Sequence, residues 1–218
     1  MPRGTMSKHR PESEGETAVR ARILEAAFAA FMKGGYATTS TLEIATRARV
    51  SKRELYALVG NKQEMLIACI RERAQRLDVP ADLPVLRDRG VLAQVLASFG
   101  TKLVHEISDP AVIAVFRLAI SELVQAPEVG QVLNSIGRET SRAALRNIMA
   151  RARESGLLTG PPAELAEQFA GLLWRDLMVS LLLGVAERPN PREIARRAHD
   201  AAAAFLQLHP LPNDAPTA

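Results

Sequence analysis

STLEIATRARVSKRELYALVGNK, residues Ser40 to Lys62, is the stretch that decides how this chain is read. Ser40 followed by Glu43 has the spacing of a capping box, in which the serine oxygen accepts an orphan first-turn amide and the glutamate reaches back to the cap. Ser51 and Glu54 repeat that spacing within the same stretch. Between them Leu42, Ile44, Ala45, Ala48 and Val50 supply apolar positions, and Leu55 and Leu58 anchor the second segment. Two capped helices of about two turns, joined by about three residues, have the dimensions of a helix-turn-helix. An exposed second helix of that kind fits the major groove of double-stranded DNA.

Working outward, the first helix spans about Thr17 to Lys33, with Ile23, Leu24, Ala27, Phe28 and Phe31 on one face and Gly34-Gly35 as its stop. A further helix runs from Asn61 to about Leu77, with Met65, Leu66, Cys69 and Ile70 inward. It leads into a Pro-containing break at Asp78–Pro84. Beyond the break every long segment has helical period: about Asp88–Ile107, Pro110–Val124, Pro127–Ser155, Pro161–Val185 and Pro191–Leu208. Four of these start with proline, which is tolerated where the amide has no helical partner. No strand-like alternation is visible, so the fold class is all-α.

Composition agrees. Of 218 residues, 47% are apolar but only 4% aromatic, and alanine and leucine dominate, which favours helix over sheet. The single Cys69 allows no internal disulfide and no cysteine metal cluster, which fits a reducing cytoplasm. Residues 1–16 carry charges and Pro11 without an apolar core, and so read as a disordered arm rather than a secretory signal. Residues 210–218 read as a frayed tail. The apolar run Phe169–Val185 contains Arg175 and Asp176 and is too short and too charged to cross a membrane.

Charge is unevenly placed. Residues 1–76 hold 14 Lys and Arg against 8 Asp and Glu, whereas residues 77–218 hold 14 against 16. A basic first third on a mildly acidic remainder suits a nucleic-acid head on a neutral body. Taken alone, the imbalance also fits a background preference for arginine.

The segment Ala27–Leu66 resembles the DNA-binding domain of the TetR family of transcriptional regulators. The matching residues are Phe31, Gly35-Tyr36, Ile44-Ala45, Val50-Ser51, Leu55-Tyr56, Asn61-Lys62 and Leu66. Phe116-Arg117 through Trp174 resembles, with weaker identity, the ligand-sensing and dimerisation domain of that family. The resemblance implies a three-helix helix-turn-helix domain at 17–60, a connecting helix at 61–77 and a helical ligand-binding and dimerisation domain at 78–209. Two residues depart from the family pattern. Arg49 stands where the family usually has Gly, at a cost of about 1 kcal/mol if the turn is left-handed. Glu54 replaces a small or hydroxylated residue; it reads as the third residue of its capping box, with base readout as the alternative.

On the second helix, Lys52 and Arg53 directly follow the cap and so lie at the end entering the groove; Arg53 has the donor geometry for guanine O6 and N7. Ala57 suits a thymine methyl, and Thr41 and Lys62 stand in first turns where phosphate is accommodated. Tyr56 resembles the family tyrosine that touches a phosphate. In the body, Phe99, Leu103, Phe116, Ile120, Trp174 and Met178 are bulky apolar residues, with Arg117 among the polar groups beside them. As residues alone they fit a filled core with ion pairs; the resemblance turns the reading toward a chamber for an apolar or amphipathic effector. Phe169 and Leu172, with the alanine-rich stripe of Ile194, Ala198, Ala202 and Phe205, are expected to form a homodimer seam. No catalytic constellation, phosphate loop, metal motif or cofactor signature is present. The expectation is a homodimeric repressor on a palindromic operator, released by a small ligand that changes the separation or angle of its heads. A DNA-binding regulator with a filled body is the alternative, and a helical enzyme the remote one.

Overall fold

Apolar residues at helical spacing and capped starts fold this chain into helices. The computed structural model describes residues 14–74 and 84–211, and no strand occurs among them. Two compact units divide the chain, Met1–Cys69 and Ile70–Ala218, with the boundary inside α4. The break at Asp78–Pro84 lies, up to residue 83, outside the described residues, as do residues 1–13 of the expected arm and 212–218 of the tail.

In the first unit, α1 (Glu14–Gly34), α2 (Thr41–Ala48), α3 (Lys52–Leu58) and the start of α4 (Lys62–Ala74) surround a core of Ile23, Ala27, Phe31, Ile44, Leu55 and Met65, each fully buried. Helix α1 begins at Glu14, so the last three residues of the expected arm are helical. Cys69 is buried, and its thiol donates to the Leu24 carbonyl. Leu42, one of the apolar positions of α2, instead faces outward.

The second unit contains α5 (Arg89–Ile107), α6 (Pro110–Ser121), α7 (Glu128–Val132), α8 (Glu139–Glu154), α9 (Pro162–Trp174), α10 (Leu177–Leu183) and α11 (Pro191–Leu208). Two segments expected as single helices are interrupted. Pro127–Ser155 opens into a π-helical stretch at Leu133–Arg138, which contains Asn134, Ser135 and Gly137, all weak helix formers. Pro161–Val185 breaks at Arg175-Asp176. There Arg197 donates to the carbonyls of Leu173 and Trp174, satisfying acceptors at the end of α9. Arg175 itself has φ 45° and ψ −123°.

Helix α11 packs along α5 and against α9. Gly100 makes the close approach possible, because a Cβ there would lie 3.1 Å from the Ala198 Cβ and 3.1 Å from Leu173 Cδ1. Phe169 and Phe205 meet edge to face, with centroids 5.8 Å apart. Arg89 ties the start of α5 to the end of α11 by donating to the carbonyls of Leu206 and His209.

This packing corrects the expected dimer seam. Phe169, Ile194, Ala198, Ala202 and Phe205 are all within 1% of complete burial in the single chain. Their alanine-rich stripe receives α5 of the same chain, leaving no surface to offer a second copy. Of the expected seam residues, only Leu172 is partly exposed.

Ala202→Glu therefore places a carboxylate in the core, where burial without a partner costs several kcal/mol. Thermal unfolding is expected to show a large fall in midpoint at every protein concentration. Retained stability with conversion to a monomer would instead put this stripe back at a seam.

Candidate nucleic-acid interface

The helix-turn-helix is held by few side chains. Ser40 and Ser51 cap α2 and α3, their oxygens accepting the amides of Glu43 and Glu54 at 3.1 Å each. Only the serine half of each capping box is present. Glu43 turns to Arg47, 3.6 Å away, and the Glu54 carboxylate has no hydrogen-bond or ion-pair partner among the described residues. The local task expected for Glu54 is thus unfilled, and its carboxylate stands on the exposed face of α3.

Between the helices, Arg49 has φ 55° and ψ 48°, and its amide closes α2 onto the Ala45 and Thr46 carbonyls. The turn is left-handed, the conformation in which a glycine would remove steric strain of about 1 kcal/mol. The guanidinium of Arg22, on α1, donates to the Ala48 carbonyl at 2.8 Å and fixes the same helix end.

Leu55, fully buried, seats α3 on the core. The opposite face is therefore turned to solvent, and it carries Lys52, Arg53, Tyr56 and Ala57, all exposed. Thr41 is half-buried, and its hydroxyl lies 3.2 Å from that of Tyr56. Two residues read separately as phosphate contacts are thus joined in one hydroxyl pair, and a phosphate oxygen reaching either would meet both.

Lys62 has a different task from the one expected. Its ammonium donates to the carbonyls of Tyr36, Ala37 and Thr39 at 2.9, 3.1 and 3.3 Å, and stands 4.5 Å above the Tyr36 ring. An ammonium has three donors, and all three are occupied. Lys62 pins the turn that leads into Ser40 and Thr41, leaving no N–H for a phosphate. One local signal in the sequence went unused: Asn61 and Glu64 form a complete reciprocal cap, with amide-to-side-chain distances of 2.7 and 3.0 Å. The Asn-x-x-Glu spacing carries that information, whereas the Lys62 staple spans 26 residues to Tyr36 and has no local signature.

In the body, Phe99 and Leu103 are buried, and Phe116, Trp174 and Met178 are partly buried against the same core. Two expected chamber residues do not join them. Ile120 is 61% exposed near the end of α6. Arg117 donates to the Leu181 and Leu182 carbonyls at 2.8 and 3.0 Å, satisfying acceptors at the end of α10 rather than serving a chamber. Among the described residues no group of three His, Cys, Asp or Glu is placed to hold a metal ion, and no helix is long and apolar enough to cross a membrane.

Comparison with known proteins places both units. Residues 23–69 match the family described as bacterial regulatory proteins, tetR family. Residues 94–209 match the C-terminal domain of AefR-like transcriptional repressors. The HTH-type transcriptional repressor SCO4008 of Streptomyces coelicolor is 38% identical over 68 residues, which is 31% of this chain and 34% of that protein, so the match spans about a third of the curated relative. A TetR transcriptional regulator from Agrobacterium tumefaciens is 28% identical with a TM-score of 0.71, covering 89% of this chain and 96% of its own. The flavonoid-responsive regulator FrrA is 25% identical with a TM-score of 0.73, covering 93% and 100%. Both family descriptions are of regulators and not of enzymes. With the second of them matched over more than half of its length, the chain belongs to the TetR family of bacterial transcriptional regulators.

Proposed function

We propose that this protein is a homodimeric transcriptional repressor that binds a palindromic operator through α3 and is released by a small apolar or amphipathic ligand. The DNA head is the first unit, helices α1 to α3 with the start of α4, and the sensing and dimerising body is formed by α5 to α11. The protein acts in the cytoplasm, where its operator lies. The observation that carries the DNA reading is the solvent face of α3: Lys52 and Arg53 at the first turn and Tyr56 paired with Thr41, above a fully buried Leu55. Arg53 reads a guanine, Ala57 rests on a thymine methyl, and the hydroxyl pair with Lys52 holds the backbone.

Phe99, Leu103, Phe116, Trp174 and Met178 form the apolar wall of the effector site. That a relative with the same fold is flavonoid-responsive supports an aromatic, amphipathic effector. The ligand acts by binding the arrangement of low operator affinity more tightly than the DNA-binding one. Exposed Val179 and Leu183 on α10 support a contact with the second copy, beside the partly exposed Leu172 of α9.

Operator binding separates base readout from scaffolding. Arg53→Ala is expected to cost about 1–3 kcal/mol at one base pair of each half-site selected from random DNA. Lys62→Met is expected to lower the unfolding free energy by about 1–3 kcal/mol through the lost charged hydrogen bonds, with the salt dependence of binding unchanged. A salt slope reduced by about one would show that Lys62 does contact a phosphate. Arg53→Ala indistinguishable from the parent would remove α3 from the groove.

Sedimentation at micromolar concentration is expected to give a dimer, weakened by Leu183→Asp. A monomeric parent would end the dimer reading, and a dimer indifferent to Leu183→Asp would move the seam off α10.

Trp174 is the only tryptophan and stands in the proposed effector wall, so its fluorescence reports occupation. A compound that alters the signal saturably is expected to bind operator-saturated protein about 5- to 150-fold more weakly, the range of a coupling of about 1–3 kcal/mol. Equal affinity with and without operator for every binder would leave a DNA-binding regulator with no effector of this kind.

A further inference from the structure

The break between α9 and α10, the 187–190 connection and the first turns of α11 border a cavity of about 610 Å³ whose walls are polar. Four guanidiniums line it. Two are anchored: Arg197 on the carbonyls of Leu173 and Trp174, and Arg188 on the His105 carbonyl at 2.9 Å with Asp109 at 3.9 Å. The other two, those of Arg175 and Arg196, are exposed and have no hydrogen-bond or ion-pair partner among the described residues.

Carboxylates are within the same walls and do not engage them. Glu193 accepts the Asn190 amide in the cap of α11. Asp200 is one turn along from Arg196 on the same helix, and Glu187 stands on the approaching connection, yet neither forms an ion pair with a guanidinium among the described residues. Four guanidiniums stand against three carboxylates in this lining, and the two uncommitted guanidiniums are the donors it offers to an anion. The planar donor fork matches the oxygens of phosphate or carboxylate.

The backbone brings Arg175 to this wall. Arg175 occupies φ 45°, ψ −123°, a conformation that burdens any residue with a Cβ, and it is one of two non-glycine residues with positive φ among those described. The strain is located where the chain turns Arg175 out of the α9 helix and into the cavity wall.

We propose that this cavity binds a small polyanion through Arg175 and Arg196, with Arg188 and Arg197 as fixed flanking charges. The site shares no residue with the DNA-contacting face or the apolar effector wall, and it does not depend on either reading. Its ligand presents two or more anionic oxygen groups, phosphoryl or carboxylate.

Calorimetric titration of the full chain with pyrophosphate and with citrate, at constant ionic strength, tests this. At least one probe is expected to bind saturably, one per chain. The Arg175→Gln, Arg196→Gln double variant is expected to lose at least tenfold in affinity, and Arg53→Ala none. Tighter pyrophosphate binding assigns a phosphoryl ligand and tighter citrate binding a polycarboxylate. Arg196→Gln alone replaces an exposed, unpartnered side chain, so its fold is retained, and it is expected to weaken binding by itself. The proposal is overturned if neither probe binds saturably, if the Arg196→Gln variant binds as the parent does, or if the loss appears in Arg53→Ala instead.

Discussion

Gly100 brings α5 so near to α11 that the alanine stripe of α11 becomes core. The larger side chains of the body are arranged around that contact. Phe169 and Phe205 fill the space beside the small residues, and Arg89 ties the outer end of α11 back to α5. A close-packed interior tolerates little change in volume, so a Cβ at Gly100 would require Ala198 or Leu173 to give way by a few tenths of an ångström. The same contact decides what remains outside. With the stripe consumed within one chain, a second copy would have to meet other surfaces, and the proposed one is the exposed side of α10 at Val179 and Leu183.

The head is maintained by a different means. Its core is small, and charged side chains reaching backbone carbonyls compensate. Lys62 gathers three carbonyls of one turn, and Arg22 takes the last carbonyl region of α2. Each is a charged donor on backbone carbonyls, Lys62 in the connection between α1 and α2 and Arg22 at the end of α2, and such bonds are stronger than neutral ones. Because these cations are engaged in scaffolding, the basic excess of the first third does not translate directly into DNA contacts. In the proposed reading the residues that meet DNA are fewer: Lys52, Arg53, Ala57 and the Thr41–Tyr56 hydroxyl pair, with the Glu54 carboxylate beside them on the exposed face of α3.

Two arginines hold backbone conformations that suit glycine better, and they end helices in different ways. Arg49 sits in the left-handed region and closes α2 through its own amide. Arg175 ends α9 at a break whose carbonyls are taken by Arg197. In both, the conformation is enforced by neighbouring packing and hydrogen bonds rather than by the residue itself. The break at Arg175 also divides an apolar run that would have formed one helix too uniformly hydrophobic for a single face of the body.

Much of what near neighbours in the chain set was legible: the helical class, the starts of α2, α3 and α11, the short turn between α2 and α3, and the outward face bearing Lys52 and Arg53. These follow from periodicity, caps and proline positions, which act over three or four residues. The resemblance of Ala27–Leu66 to a known family was legible for the same reason, since it is a pattern of spacings. What the sequence could not decide was which partner an apolar or charged face would meet. The stripe of Ile194, Ala198, Ala202 and Phe205 is equally suited to a helix of its own chain or of a second one, and only the position of Gly100, 98 residues before Ala198, selects the former. Lys62 likewise has the charge for a phosphate, but its three carbonyl partners lie 23 to 26 residues away. Helical period determines which side chains share a face; tertiary packing alone determines what that face touches, because contacts between distant segments depend on shape and distance that no local pattern encodes.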